Sequence, residues 1–317
     1  MNRLELHLHL EGAAPPDLVR ALAAEKKVDL AGLFREDGGY AYGSFPEFLR
    51  AYEAAASVIV TPEDYARLTR AVLHELYEGG VAYCEVFTAP SIAAANDLGR
   101  WREHCAAIAE AAAGSEVILR TIPTCVRHEG PEVAKATARC AAETAGGIVV
   151  GFGMGGDETM GKATDFAWAF DCAREAGLGL TCHAGEFGGP ESVREALALG
   201  VSRIGHGVRA AEDEALVDRL AEDGIVLEVC PGSNVALGLY PDVRRHPIER
   251  LRARGVRVTV STDDPPFFRT TLAREYEALA EAHDWDDAQF RAINVTAAEA
   301  AFCDEDTRAA LLKRLEP

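Results

Sequence analysis

The sequence predicts an α/β fold, a (β/α)8 TIM barrel with extra helices after the first strand and at the C-terminus. Three observations predict it. Short apolar runs recur at residues 4–10, 81–87, 117–122, 148–152, 178–182, 202–204, 225–229 and 256–260. Most are rich in Val, Ile and Leu, as strands buried on both faces of a parallel sheet should be. Amphipathic stretches with helical spacing lie between them, and several end on a glycine just before the next run. An open doubly wound sheet shares this alternation, but a count of eight β-then-α units favours the barrel.

The elements follow in order. The run 4–10 is the first strand. Residues 15–60 are too many for one connecting helix and predict extra helices over the barrel mouth. Thr61-Pro62-Glu63-Asp64 is a helix start: a Thr cap, Pro at the first position and acids in the first turn. Tyr65, Leu68, Val72 and Leu76 then mark one buried face, and Gly79-Gly80 closes the helix before the second strand. Residues 168–176 before Gly177, 191–199 before Gly200 and 212–222 before Gly224 repeat the helix–glycine–strand pattern. The tail 270–315 reads as helices packed on the outside.

At 317 residues the chain suits one large α/β domain, and 1–317 is expected to form a single barrel domain. With 48% hydrophobic and 26% charged residues the composition is globular. There are 32 Lys and Arg against 51 Asp and Glu, a net charge of −19, which repels nucleic-acid phosphates and anionic membranes. No apolar run approaches the ~20 residues of a transmembrane helix. The N-terminal residues lack a secretory pattern, so the expected compartment is the cytoplasm. The eight cysteines are scattered without a CxxC and read as small buried hydrophobes.

In a barrel the reactive groups sit at the C-terminal ends of the strands. The first strand carries His7 and His9, which share one face because side chains alternate, while Leu6, Leu8 and Leu10 take the other. Two imidazoles on one strand face are a natural pair of metal ligands. The fifth strand ends in His183-Ala184-Gly185-Glu186, the sixth in Gly205-His206-Gly207 and the eighth in Asp263-Asp264-Pro265. Together they supply three His and one Asp for a metal, with one Glu, one His and one Asp beside it. A nitrogen-rich set with one oxygen suits zinc or a similar first-row ion. Zinc would supply hydroxide at neutral pH, the Glu could donate a proton, and the extra His could act as base or water anchor.

Other chemistries are unsupported. Gly151-Phe152-Gly153-Met154-Gly155-Gly156 is not GxGxxG, and acids follow it directly. There is no P-loop, no GxSxG and no PCxxC. His74, His104, His128, His246 and His283 fall on helices or loops and read as surface or capping residues.

These motifs resemble the adenosine/adenine deaminase family of metal-dependent hydrolases. The resemblance rests on His7-Leu8-His9 with Glu11-Gly12, His183-Ala184-Gly185-Glu186, Ile204-Gly205-His206-Gly207, Cys230-Pro231-Gly232-Ser233-Asn234 and Ser261-Thr262-Asp263-Asp264-Pro265. It runs from Glu5 to about Leu272. It implies a (β/α)8 barrel in which His7, His9, His183 and Asp263 bind one zinc per chain. It also implies that Glu186 protonates N1 of a purine and that His206 orients and helps deprotonate the attacking water. Asp264 would hold that water and contact N7, and the backbone of Gly156 would donate to N3. Binuclear relatives carry a Lys at the end of the fourth strand, and none stands near Phe152–Met154, which points to a single metal.

Two positions depart from the adenosine deaminase pattern. Glu11 stands where those enzymes carry an Asp that holds the ribose 5′-hydroxyl, whereas adenine deaminases often carry Glu. Gly153 stands where many have Asp. The function implied is hydrolytic deamination of a 6-aminopurine, a small-molecule substrate. Adenosine or deoxyadenosine, giving the inosine product and ammonia, is the first choice. Adenine is the alternative, and a larger 6-amino nucleoside comes third. From other classes, a metal-dependent amide or ester hydrolase and an inactive purine-binding barrel stay open.

Overall fold

Eight parallel strands, hydrogen-bonded in sequence order, form a barrel in the computed structural model, which describes residues 2–316. They are β1 (Arg3–His9), β2 (Val81–Thr88), β3 (Ile118–Val126), β4 (Gly151–Gly155), β5 (Gly179–Ala184), β6 (Arg203–His206), β7 (Val226–Val229) and β8 (Arg257–Val260). The seam between β8 and β1 closes just beyond the end of β8. There His9 N donates to Asp263 O (3.0 Å) and Asp263 N donates to His7 O (3.1 Å).

The first strand shows why the pattern is readable. Leu8 and Leu10 point outward into the main core. Leu4 and Leu6 join Ala297, Ala298, Ala301, Leu311 and Leu315 in a second cluster under the C-terminal helices. The tail indeed folds as the helices Leu272–His283, Asp287–Ala300 and Glu305–Arg314. The helix Pro62–Glu78 starts in a capping box: Asp64 N donates to Thr61 Oγ1 (3.2 Å) and Thr61 N to Asp64 Oδ2 (2.8 Å). The long segment after β1 holds the helices Pro16–Lys26 and Phe45–Ala56. The second of these lays Phe45, Phe48, Leu49 and Tyr52 over the mouth.

The fourth strand is displaced from the predicted 148–152. The apolar residues 148–150 join the barrel through a bridge between Val149 and Thr121 and a bond from Gly179 N to Val150 O (3.1 Å), and the ladder continues through the glycine run to Gly155. Apolarity misplaces this strand because its pairing residues include glycines, whose room is filled from next door. A Cβ on Gly153 would stand 3.1 Å from Thr124 Oγ1 and 3.3 Å from Phe87 Cε1. Among the described residues no helix is long and apolar enough to cross a membrane. All eight cysteines are free, and six are buried.

The barrel interior also carries charge. Arg203 on β6 is 1% exposed and pairs with Glu85 of β2 and Glu228 of β7, each at 2.6 Å. Its guanidinium lies 3.6 Å from the Phe302 ring centroid. Removing one partner of a buried pair leaves the other charge without compensation. Arg203→Met is therefore expected to destabilise the fold by about 3–5 kcal/mol. An unchanged denaturant midpoint would show that the two carboxylates find other partners.

Candidate active site and metal centre

A cavity of about 210 Å³ opens at the C-terminal end of the barrel. Its wall includes His9, Glu11, Gly156, His183, Glu186, His206, Asp263 and Asp264. Every residue that the strand ends nominated thus meets in one place, with His7 directly behind the wall. His7, His9, His183 and Asp263 each offer one ligand atom, and these atoms lie within 4.8 Å of one another.

The residues fit a tetrahedral cation. His9 Nε2 stands 3.1 Å from His183 Nε2 and 3.2 Å from Asp263 Oδ1, and His7 Nε2 lies 3.6 Å from that oxygen. A zinc with bonds of ~2.0–2.1 Å separates its ligands by roughly 3.3 Å. His7 Nε2 is buried with no hydrogen-bond partner. Its other nitrogen donates to Glu228 Oε2 (2.8 Å), and His183 Nδ1 donates to Met154 O (2.8 Å), so both rings turn Nε2 toward the cluster. Burial works against a charge on His7, but Asp263 and Glu228 outweigh it and raise its pKa to about 9. A field that favours a proton there favours a metal cation for the same reason. Asp263 is anchored on its other side, where Oδ2 accepts from Ser233 Oγ (2.7 Å). Burial would raise its carboxyl, but the imidazoles of His7 and His9 beside it outweigh that and hold it well below the usual range.

The neighbouring groups lean toward neutrality. Burial, helped by the charges of Asp263 and Glu158, pushes the Glu186 carboxyl well above its ordinary range. Such an acid can carry a proton to a substrate at neutral pH. Asp264 is raised in the same way by burial and by Asp263 beside it, and its Oδ1 has no partner. Burial lowers the His206 imidazole to about 4 and, with the surrounding imidazoles, carries His183 well below the usual range. His206 and Asp263 both hold left-handed backbone, at φ 59 and 67. These are two of the seven described non-glycine residues with such backbone, and both carry side chains that point into the site.

Glu11 lies 2% exposed in the wall of the cavity. Its Oε1 accepts from Tyr65 OH (2.8 Å) and Ala89 N (3.3 Å), and its Oε2 from Tyr52 OH (3.4 Å). Burial raises its pKa against these bonds.

Several contributing residues escape sequence reasoning. Glu158 gathers the loop after β5, accepting from the backbone N–H of Gly185 (2.5 Å), Glu186 (3.0 Å), Phe187 (2.7 Å) and Gly188 (2.8 Å). Only its place beside the glycine run signalled it. Asn234 donates to Glu186 Oε1 (3.3 Å) and contacts His206 Nδ1 at 3.3 Å. Against the expectation of surface or capping residues, His104 and His246 are both buried, so neither is a surface residue. His104 bonds the backbone carbonyls of Arg100 and Val60 and joins helix to turn. His246 bonds Asn234. A position on a helix or loop says nothing of which side faces inward. His74 is exposed, His283 bonds Val243 O, and His128 lines the cavity.

A family model described as adenosine deaminase matches residues 3–317. The chain belongs to the adenosine deaminase family. As such it is a hydrolytic deaminase acting on a C–N bond, in a metal-dependent family. An adenine deaminase from Rhizobium leguminosarum bv. trifolii is 50% identical over 319 residues, covering 99% of each chain. The crystal structure of an adenine deaminase from Arthrobacter aurescens superposes with a TM-score of 0.90 at 29% identity, covering 99% of this chain and 97% of that one. An amidohydrolase from Burkholderia ambifaria, solved with bound zinc, gives 0.88 at 28%, covering 99% and 89%.

Gly12 tests the geometry. A Cβ there would stand 1.6 Å from Asp264 Oδ1. Gly12→Ala must displace that carboxylate, and a shift of about 1 Å costs on the order of 10²-fold in rate. Deaminase turnover should fall by about that factor with the metal content unchanged. Turnover at the wild-type level would mean that the position of Asp264 is unimportant.

Proposed function

We propose that this chain is a cytoplasmic zinc-dependent adenine deaminase that converts adenine and water to hypoxanthine and ammonia. Residues 1–317 would work as one barrel domain, with a single zinc held by His7, His9, His183 and Asp263. The observation that carries the substrate choice is the engagement of Glu11 by Tyr65, Tyr52 and the Ala89 amide. A carboxylate bound on both oxygens and buried in the cavity wall would stand where a ribose needs space. The cavity, at about 210 Å³, is also below the roughly 300–1,000 Å³ of sites for drug-sized ligands. The full-length similarity to adenine deaminases supports the same choice. The preference thus moves from adenosine, the first choice from the motifs, to the base.

The chemistry of the proposal is a division of labour. Glu186, neutral by burial, donates its proton to ring N1. That breaks the aromatic conjugation and makes C6 electrophilic. Asp264 and the Gly156 N–H contact N7 and N3 and fix the ring plane. His206 and Asp264 hold the attacking water against C6. Zinc, when bound, lowers the pKa of water toward ~7 and stabilises developing negative charge. One proton of that water passes by way of Asp264 to the amino group, the other returns to Glu186 as C6 becomes a carbonyl, and cleavage of the C6–N bond releases ammonia.

The test is ammonia release by zinc-loaded protein given adenine or adenosine at equal concentration. Faster release from adenine is expected, and faster release from adenosine would overturn the substrate choice. Glu186→Gln should keep its zinc and lose about 10²–10⁴-fold in turnover, the range of a positioned general acid. Near-normal turnover in that variant would remove Glu186 from the proton-donor role.

A further inference from the structure

We propose that His246 is a positioning residue that, through Asn234, decides which nitrogen of His206 carries the proton and holds Glu186 in place. The inference rests on the proposed roles of Glu186 and His206 but is read from four hydrogen bonds in series.

The chain of bonds starts at a group with no choice. A backbone N–H can only donate, and Ile248 N donates to His246 Nδ1 (3.2 Å). Nδ1 therefore carries no proton, and the ring proton sits on Nε2. Nε2 lies 3.1 Å from Asn234 Oδ1, which must be the amide oxygen because it faces a donor. The amide is thus oriented with its NH2 group toward the site. One hydrogen goes to Glu186 Oε1 and the other to His206 Nδ1, both at 3.3 Å. His206 Nδ1 must accept, so its proton sits on Nε2, the nitrogen that faces Glu186 and Asp263 at 3.6 and 3.9 Å. Of the two roles open to His206, this selects the water anchor. Nε2–H donates a hydrogen bond to the attacking oxygen and cannot take a proton from it. Asn234 and His246 are 0% and 3% exposed, so water does not compete for these bonds.

Without His246 the Asn234 amide has no fixed orientation and can present its oxygen to Glu186 and His206. The first measurement is nitrogen-15 NMR of histidine-labelled, zinc-loaded protein, with the His206 ring assigned by its loss in His206→Gln. A protonated Nε2 and a bare Nδ1 are expected. A proton on Nδ1 would overturn the proposal. The second is a pair of variants assayed with adenine. His246→Leu should lose about 10–100-fold in kcat, the usual range for outer partners of a metal site, with KM within about twofold and unchanged zinc. His246→Gln, whose amide nitrogen can stand near the Nε2 position, should recover most of that loss. A folded His246→Leu with wild-type kcat, or a Gln variant as slow as Leu, would sink the idea. If His246→Leu fails to fold, the NMR result and the Gln variant still decide. Should wild-type protein be silent on adenine but active on another 6-aminopurine, the substrate choice fails alone, and the His206 ring state still tests the relay.

Discussion

Two backbone hydrogen bonds, His9 N to Asp263 O and Asp263 N to His7 O, close the barrel between its first and last strands. The same three residues supply most of the candidate metal ligands. The seam and the site are therefore one structure. If the strands slipped by one residue, the side chains would exchange faces, and leucines would stand where imidazoles now converge. Asp263 meets this demand with a left-handed backbone, φ 67, which turns its carboxylate back toward the two histidines. The strain is tolerated because both sides of the turn are held: the backbone by the seam, the side chain by Ser233.

Electrostatics ties this seam to the barrel floor. Glu228 accepts from His7, Thr181 and Arg203, so one carboxylate couples the candidate ligand cluster to the buried guanidinium. Arg203 in turn pairs with both Glu228 and Glu85. Charge buried without a partner costs several kcal/mol, and each member of this series faces an opposite charge. The orientation of His7 thus depends on residues well below the cavity that never face substrate.

Much of this is legible in the amino-acid sequence because polar residues at the ends of apolar strands are conspicuous. His7, His9, His183, His206 and the pair Asp263–Asp264 stand out against Leu, Val and Gly, and barrel topology says that strand ends meet. Hydrophobicity alone shifts the fourth strand, since Gly153 and Gly155 carry no apolar signal and Phe87 and Thr124 fill the space beside Gly153 from β2 and β3. The supporting groups are harder to read. Tyr52 and His246 come from a helix and a loop far from the strand ends in sequence. Their inward direction depends on how those segments are docked, which a 3.6-residue period does not reveal.

Glu11 is the residue where the two kinds of legibility meet. Its identity is visible in the sequence, but its state is not. Left free, the longer arm could have reached a sugar hydroxyl and kept a nucleoside in play. Instead Tyr65, Tyr52 and the Ala89 amide meet its oxygens from three separate segments. On the proposed reading a ribose hydroxyl would have to crowd in beside these donors, and a buried tyrosine hydroxyl that it left unpaired would cost about 1–3 kcal/mol. A bare purine makes no such demand. In the proposed function, then, discrimination against the nucleoside does not arise from an extra bond to adenine. It arises from hydrogen bonds that the protein already makes with itself and that a nucleoside would have to disturb.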